Sequence, residues 1–348
     1  MNYLSVCSGI EAATVAWHPL GWKPVAFSEI ERFPSEVLKH HYPDVPNVGD
    51  MTKFKEWNFE SSISLLVGGT PCQSFSIAGL RKGLDDPRGN LMLTYLAIAN
   101  QYRPKWLVWE NVIGVLSSNG GLDFASLLRG MGECGYGFAY RVLDAQYFGV
   151  AQRRKRVFLV ASFGDWRSAA AVLFERHSLQ RNSEPSRETR QSIATGTEEC
   201  FGRSNSQRVY ENHPTDSRIN EVSVCPTVTA RWGTGGNNVP YTLYDLHQVT
   251  SPQNSQNRKD GDPCHTLAKE NAHRAGLIQK TAVRRLTPVE CERLQGFPDN
   301  YTDIKSKGKA TPDGPRYKAL GNSMAVPVMA WIGKRIQEVE NIECKPNK

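Results

Sequence analysis

The sequence lacks the features of a secreted, membrane-spanning or zinc-ribbon protein. Its eight cysteines are scattered and none forms a Cys-x-x-Cys pair, so zinc-ribbon spacing is absent and a disulfide framework is not expected at a length of 348 residues. No apolar run is long enough to cross a bilayer, and the N-terminus has neither a basic segment nor a long apolar segment. We therefore expect a reduced cytoplasmic protein without a metal and without a membrane partner.

Charge of one sign is not dominant either. The chain has 42 basic and 35 acidic residues, which give a net charge of +7, and 39% of its residues are hydrophobic. These values are ordinary for a soluble globular protein. The modest basic excess permits a polyanionic partner without requiring one. The length allows one large core, or one core plus a smaller lobe.

Short apolar runs alternate with helical patterns in the first half of the chain. They predict strands at residues 3–7, 24–28, 63–67, 105–109, 138–143 and 157–161, and helices at residues 10–20, 90–101 and 121–131. This alternation indicates an α/β fold with a mostly parallel sheet that is covered by helices on both faces. From Gly164 to about Thr281 the chain is polar and lacks clear periodicity, which predicts a second, smaller and irregular domain.

Helix signals return after this irregular stretch. A helix start is predicted at Thr287, which would be the N-cap. Pro288 would occupy the first turn, and Glu290 would complete a capping box. Gly321-Asn322-Ser323 precedes an amphipathic pattern that continues to about Val339. We expect this triplet to present free backbone N–H groups at a helix N-terminus, where a ligand can bind.

The opening strand, glycine turn and helix have the order of a nucleotide-binding βαβ unit. Glu29 follows Gly9 by 20 residues, the spacing at which an acidic residue binds ribose hydroxyl groups in such folds. Asp50 follows Gly49, where a further strand-end loop is plausible. The glycine fingerprint is incomplete because Glu11 and Ala12 stand where further glycines are expected. These residues alone leave a plain strand–helix turn open.

Cys72 lies in the loop Gly68–Ser76, directly after an apolar strand pattern. Loops at the carboxyl ends of strands carry the chemistry in α/β proteins. Pro71 fixes the backbone before the cysteine, and the small neighbouring residues leave its sulfur open to a substrate. A lone cysteine is more often a small buried hydrophobe than a nucleophile, so the assignment depends on the motifs further along the chain.

Together, these motifs resemble the DNA cytosine-5 methyltransferase family of bacterial or phage type. The motifs that carry the resemblance are Ser8-Gly9, Glu29, Asp50, Gly69-Thr70-Pro71-Cys72-Gln73, Arg88-Gly89-Asn90-Leu91, Glu110-Asn111-Val112, Gln152-Arg153-Arg154-Lys155-Arg156, the segment 285–298 and Gly321-Asn322-Ser323. The resemblance implies an S-adenosylmethionine-dependent, Rossmann-like fold. Residues 1–163 would form the catalytic and cofactor-binding domain, 164–281 the target-recognition domain, and 282–348 a segment that returns to the catalytic domain.

The resemblance also implies a reaction and its catalytic residues. A methyl group would pass from S-adenosyl-L-methionine to C5 of a flipped cytosine in a specific duplex DNA sequence. Cys72 would add to C6, and Glu110 would donate a hydrogen bond or a proton to N3. Arg156, supported by Arg154, would hold O2 and orient Glu110. A free thiol is only a few per cent ionised near neutral pH, so the basic surroundings should favour the thiolate.

The resemblance assigns binding roles to two further sets of residues. The expected cofactor residues are Ser8, Gly9, Ile10, Glu29, Ile30, Asp50, Met51, Leu91, Asn322 and Ser323. The expected DNA contacts are Gln73, Ser76, Arg88, Gln152, Arg153, Thr227 and Thr266, the last two being alternatives for one recognition dipeptide. Two positions depart from the family pattern: Ile30 replaces an aromatic residue that stacks on adenine, and Glu11 replaces a glycine.

Two other functions remain open from the sequence. An RNA cytosine methyltransferase of the same fold is disfavoured by the long variable lobe, and a catalytically silent DNA-binding protein is disfavoured by the intact Pro-Cys-Gln and Glu-Asn-Val motifs. We expect a monomer that binds double-stranded DNA at the nucleoid. A cognate restriction endonuclease, acting separately, is a partner that the sequence leaves open.

Overall fold

A six-stranded sheet organises the chain in the computed structural model, which describes residues 1–71, 91–174, 209–212, 219–222, 224–229, 241–245, 281–306 and 309–343. The strand order is β2-β1-β3-β4-β6-β5. The strands are β1 (Asn2–Val6), β2 (Lys23–Ser28), β3 (Leu65–Gly68), β4 (Trp106–Val112), β5 (Tyr136–Asp144) and β6 (Lys155–Phe163).

One strand, β6, runs against the other five strands of the sheet. Strands β2, β1, β3 and β4 are parallel to one another, whereas β6 runs antiparallel to both β4 and β5. The α/β fold predicted from the sequence is confirmed. Strand β6 is reversed because β5 and β6 are joined by a connection without a crossover helix, and such a connection reverses the chain.

Helices cover both faces of the sheet. They are α1 (Ala12–Trp17), α2 (Arg32–His41), α3 (Leu91–Tyr102), α4 (Leu122–Glu133), α5 (Trp166–Leu173), α6 (Pro288–Gln295), α7 (Asp313–Asn322) and α8 (Val326–Glu343). Short 3-10 helices lie at His18–Leu20, Met51–Glu56, Ile113–Leu116, Ser118–Gly121 and Ala145–Phe148.

Strand β4 shows why both faces need cover. Trp106 and Val108 point into the core layer that α1 and α8 share, while Leu107 and Trp109 point into the layer that α3 and α4 share. Successive side chains of a strand alternate between faces, and both sets are fully buried here. A strand that is apolar on both faces is typical of a sheet between two helical layers.

Helix α8 packs against α1 and donates or accepts hydrogen bonds with the first half of the chain. The indole N–H groups of Trp17 and Trp106 donate hydrogen bonds to the Met329 carbonyl (2.8 Å) and the Glu340 carboxylate (2.6 Å) of α8. Gly333 lies so close to Trp17 that a Cβ at this position would approach the indole to 2.5 Å.

Two local expectations differ from the structure. Gly321 and Asn322 form the C-terminal end of α7 rather than a helix N-terminus, and the N–H of Ser323 bonds to the carbonyls of Ala319 and Leu320. The prediction of free N–H groups there is therefore wrong. Helix α5 falls within residues 164–281 of the sequence but packs on β5, β6 and α8, so the layered core extends to Leu173.

A smaller antiparallel sheet lies mainly within residues 164–281. Its order is β10-β9-β7-β8, with β7 at Val209–Asn212, β8 at Ile219–Val222, β9 at Tyr241–Asp245 and β10 at Thr281–Arg285. A two-stranded ribbon, β11 (Lys305–Ser306) and β12 (Lys309–Ala310), precedes α7. Within the described ranges, no helix is both long and apolar enough to cross a membrane.

Candidate active site

A cavity of about 540 Å³ opens at the carboxyl ends of the parallel strands. Its wall contains ten of the residues predicted for the cofactor and the chemistry: Gly9, Glu29, Ile30, Asp50, Met51, Leu91, Glu110, Arg154, Arg156 and Asn322. These residues come from separate parts of the chain and meet because parallel strands end at the same edge of the sheet. The volume lies within the range of small-molecule and cofactor sites.

The acidic end of the cavity is held by backbone hydrogen bonds. The N–H of Gly9 donates to Oε2 of Glu29 at 2.7 Å, and the N–H of Glu31 donates to Oε1 at 2.7 Å. Asp50 accepts hydrogen bonds of 2.9 Å from the N–H and the hydroxyl of Thr52. Both carboxylates are thereby fixed at the cavity wall.

The residues present fit S-adenosyl-L-methionine. Met51, Pro34 and Leu91 give the wall an apolar part beside the two carboxylates. A Cβ on Gly69 would approach Oε2 of Glu110 to 3.1 Å and the Met324 methyl to 3.3 Å, so a larger residue here would have to displace one of these side chains. An apolar slot with acidic acceptors suits an adenosine with a cationic tail.

Three predicted cofactor residues lie elsewhere. Ile10 is fully buried in the core, and its carbonyl accepts a 2.9 Å hydrogen bond from the Tyr301 hydroxyl. The Ser8 hydroxyl donates to the Ser5 carbonyl and accepts from the Ser28 N–H. Ser8 and Ser323 line a smaller adjoining cavity. Ile30 does reach the large cavity, but its side chain is 73% exposed at the rim.

Glu110 stands at the end of β4 and is 8% exposed. Burial raises the pKa of its carboxyl above the ordinary value, and this effect outweighs the opposite influence of Arg154 and Arg156. Nε of Arg156 lies 3.3 Å from Oε1 of Glu110. The site therefore contains a carboxyl group that is oriented by a guanidinium and is easier to protonate than an exposed one.

The loop before Cys72 is held by the strand that carries Glu110. Nε1 of Trp109 donates to the hydroxyl of Thr70 at 3.0 Å, and Nδ2 of Asn111 donates to the Thr70 carbonyl at 2.7 Å. Pro71 lines the cavity. Trp109 has no role predicted from the sequence, and Thr70 and Asn111 are predicted only as members of two motifs. The sequence feature that points to Asn111 is its position directly after Glu110.

Arg154 is 3% exposed and joins three segments. Its Nη1 donates to the Val228 carbonyl at 2.9 Å, and its Nη2 donates to the carbonyls of Gly321 (3.1 Å) and Ser323 (2.7 Å). Burial, together with the charge of Arg156, lowers the pKa of Arg154 to about 9. Its side chain thus binds backbone on both sides of the cavity.

The residues expected at DNA divide between interior and surface. Gln152 is fully buried: Nε2 donates to the Leu294 carbonyl at 2.9 Å, and Oε1 accepts from the Val228 N–H at 2.8 Å. A DNA contact by this side chain does not fit that placement. Arg153 is exposed, and its carbonyl accepts a hydrogen bond from the Thr227 hydroxyl. Cys72, Gln73, Ser76, Arg88 and Thr266 lie outside the described residues.

Metal ligands are not grouped in the part of the chain that the structure describes. No cluster of three or more His, Cys, Asp or Glu side chains there could hold a metal ion. The four cysteines described, Cys7, Cys134, Cys225 and Cys291, are free thiols.

Two relatives of known sequence are named as methyltransferases. A DNA N-6-adenine-methyltransferase of Escherichia phage P1 is 35% identical over 99% of this chain, but the chain spans only 63% of that relative's length. Type II methyltransferase M.NgoPII of Neisseria gonorrhoeae is 28% identical, with 97% of this chain and 96% of the relative covered.

Comparisons with solved structures support the fold. The Dnmt2 methyltransferase of S. pombe superposes with a TM-score of 0.60 at 16% identity, over 98% of this chain and 99% of that one. A putative DNA modification methyltransferase encoded within a prophage of E. coli gives a TM-score of 0.56 at 17% identity, over 98% and 99% of the two chains.

A family model covers nearly the whole chain. Residues 1–338 match the model described as C-5 cytosine-specific DNA methylase. Members of this family use S-adenosyl-L-methionine as the methyl donor, which agrees with the acidic and apolar wall of the cavity. Because the match covers residues 1–338, the chain belongs to the C-5 cytosine-specific DNA methylase family.

Proposed function

We propose that this protein methylates C5 of a cytosine flipped out of a specific duplex DNA sequence, through a transient bond between Sγ of Cys72 and C6 of the base. The supporting observation is the buried Glu110, paired with Arg156 and lining the same cavity as Gly69, Thr70 and Pro71. Cys72 follows Pro71 in the chain. A cytosine ring in this cavity would meet both the proposed proton donor and the residues that directly precede the proposed nucleophile.

The chemistry of cytosine explains the need for both groups. C5 of the free base is a poor nucleophile. Addition of the Cys72 thiolate to C6 forms the S–C6 bond and moves an electron pair toward N3 and O2. A proton or hydrogen bond from Glu110 to N3 stabilises that charge. C6 becomes tetrahedral, and the C4–C5 unit becomes an enamine with electron-rich C5.

The remaining steps restore the aromatic ring. Bound S-adenosyl-L-methionine supplies the electrophilic methyl group that C5 takes up. A base, which we infer to be water, then removes the C5 proton. The electron pair of that C–H bond re-forms the C5–C6 double bond as Sγ leaves with its own pair, and N3 returns its proton. Arg156 holds the Glu110 carboxyl in position throughout, with Nε 3.3 Å from Oε1.

A target base within a duplex must leave the stack before a thiol can reach C6. Unstacking and unpairing a base costs a few kcal/mol. Contacts to phosphates from basic side chains offset that cost and make binding weaker at high salt. Arg153 is exposed beside the Cys225–Thr229 segment and is the described candidate for such a contact.

Methyl transfer to separate nucleic acids tests the proposal. The protein is incubated with labelled S-adenosyl-L-methionine and either duplex DNA or transfer RNA, and the methylated nucleosides are identified after digestion. We expect 5-methylcytosine in DNA. Label in RNA alone would contradict the proposal, and no label in either would favour a silent binding protein. N6-methyladenine in DNA would contradict the proposal and would show that this chain shares the activity named for its phage P1 relative.

The covalent step has its own test. Cys72→Ser should abolish methyl transfer and leave duplex binding largely intact. DNA that contains 5-fluorocytosine should trap the wild-type protein, because C5 then has no proton to lose. An adduct that resists denaturation is expected for the wild type and not for Cys72→Ser. Turnover by Cys72→Ser at the wild-type rate would rule out the nucleophile assignment.

A further inference from the structure

Glu11 is a buried carboxyl in a conformation that favours glycine. Its side chain is 1% exposed, and its φ of 63° lies in the left-handed region. The hydroxyl of Ser5 donates to Oε1, and the hydroxyl and N–H of Thr14 donate to Oε2 at 2.5 Å and 3.3 Å. A left-handed backbone costs a non-glycine residue about 1–2 kcal/mol. Glycine at this position would relieve that strain.

A cavity of about 40 Å³ lies against Glu11. It shares Cys7, Gly9, Gly69, Glu110 and Asn322 with the wall of the large cavity. Glu11 and Glu110 are both on its wall, and the described residues that line it include no lysine, arginine or histidine. The small cavity is therefore an acidic extension of the proposed cofactor site.

The two carboxyl groups differ in their partners. Glu110 has the Arg156 guanidinium at 3.3 Å, whereas the groups that bond to Glu11 are hydroxyls and one N–H. Burial raises the pKa of Glu11 to about 7, although the hydrogen bonds from Ser5 and Thr14 act in the opposite direction. The other titratable groups that face it are the phenols of Tyr3, Tyr42 and Tyr301.

We propose that Glu11 matches the positive charge of the methionine portion of S-adenosyl-L-methionine, so that cofactor binding releases a proton from Glu11. This inference rests on the proposed function, because it assumes that the methyl donor occupies the joined cavities. Glu11 is here a positioning residue for the cofactor and takes no part in the chemistry at the base.

Cofactor binding and proton release from Glu11 are linked, so the measured affinity must depend on pH. Without ligand, Glu11 is largely protonated below pH 7, and a nearby cation favours its ionised form. Binding below pH 7 must therefore expel a proton, which weakens the measured affinity. The affinity should rise with pH, by about tenfold between pH 6 and pH 8 if the cation lowers the pKa of Glu11 by about two units.

Calorimetry of cofactor binding tests the inference independently of turnover. The wild-type protein is titrated with S-adenosyl-L-methionine at pH 6.5 in buffers of different ionisation enthalpy, which reports the number of protons released. We expect proton release by the wild type and by Glu110→Gln, and none by Glu11→Gln or Glu11→Gly. Binding of the neutral nucleoside 5′-methylthioadenosine, which lacks the charged tail, should release no proton from the protein.

Each result has a defined meaning. Binding without proton release by the wild type, or equal release by Glu11→Gln, would overturn the inference and leave the proposed function standing. Release that disappears only in Glu110→Gln would assign the proton to Glu110 and also overturn it. Failure of the wild type to bind S-adenosyl-L-methionine would refute both proposals. If Glu11→Gln misfolds, Glu11→Gly still allows the test, because glycine readily adopts the left-handed backbone at this position.

Thermal unfolding of the ligand-free protein gives a second readout. A buried carboxyl with a raised pKa makes the folded state less stable as pH rises from the unfolded value toward 7. The Tm of the wild type should therefore fall relative to that of Glu11→Gln between pH 5 and pH 8. A constant difference in Tm across this range would show that Glu11 does not titrate and would contradict the inference.

Discussion

Nη2 of Arg154 lies 2.7 Å from the carbonyl oxygen of Ser323, and this contact joins the start of β6 to the turn between α7 and α8. The same guanidinium binds the Val228 carbonyl through Nη1. One side chain thus connects residues 224–229 with residues 321–323, which contribute Gly321 and Asn322 to the cavity wall. A planar guanidinium has donors in a fixed fork, whereas an ammonium is a single point on a flexible stem.

Replacing Arg154 by lysine should therefore destabilise the protein. The ammonium of Arg154→Lys cannot reach the carbonyls of Val228, Gly321 and Ser323 together, so buried acceptors lose their donors. We expect the free energy of unfolding to fall by about 3 kcal/mol, measured by urea denaturation. Arg153→Lys is the matched control because Arg153 is exposed, and it should change stability by about 0.5 kcal/mol or less. Equal losses for the two variants would contradict this prediction.

Glu110→Gln should lower the rate of methyl transfer by about 10²–10⁴-fold, because an amide donates a hydrogen bond to N3 but no proton. The wild-type rate should decline as pH rises through the pKa of Glu110, which burial raises, since the protonated carboxyl is the donor. Single-turnover rates across the pH range measure both effects. A variant that keeps the wild-type decline would show that another group titrates.

Gly69→Ala should impair turnover more than folding. The added Cβ would lie 3.1 Å from Oε2 of Glu110 and 3.3 Å from the Met324 methyl, so the carboxyl must shift. A displacement of a catalytic group by a few tenths of an ångström to 1 Å lowers the rate by about 10–100-fold. Gly132→Ala is the control, because no atom lies within 4 Å of its Cβ position in α4. That variant should be fully active and as stable as the wild type or slightly more stable.

Ile30→Phe should tighten cofactor binding. Ile30 lines the cavity but is 73% exposed, so a larger side chain has room there. An aromatic ring stacked on adenine adds about 0.5–1.5 kcal/mol, and we expect the Kd for S-adenosyl-L-methionine to fall about fivefold by calorimetry. Ile342→Phe, at a position in α8 that is 70% exposed, should leave the Kd unchanged. An unchanged Kd for Ile30→Phe would place adenine away from this rim.

Part of the fold could be predicted because its signals are local. The strand pattern at residues 3–7 and 24–28 and the capping box of Thr287 and Glu290 depend on neighbours in the chain, and both are present as β1, β2 and the start of α6. Gly321 and Asn322 were placed at the wrong end of a helix. Their local pattern fits either a helix end or a helix start, and packing of α7 beside α6 decides between them.

In the site, too, some features could be predicted from local sequence and others depend on the tertiary structure. Each motif is a short run of characteristic composition, so the sequence alone identifies the family from the order of these runs. The same resemblance predicts Glu110 and Arg156 as catalytic residues. The sequence did not show that Gln152 is buried, that Asn111 holds Thr70, or that Arg154 binds Val228 and Ser323. These contacts join residues that are far apart in the chain, so only the tertiary structure determines them. The same holds for the protonation of Glu11, since the pKa of a carboxyl depends on how much water the surrounding fold removes.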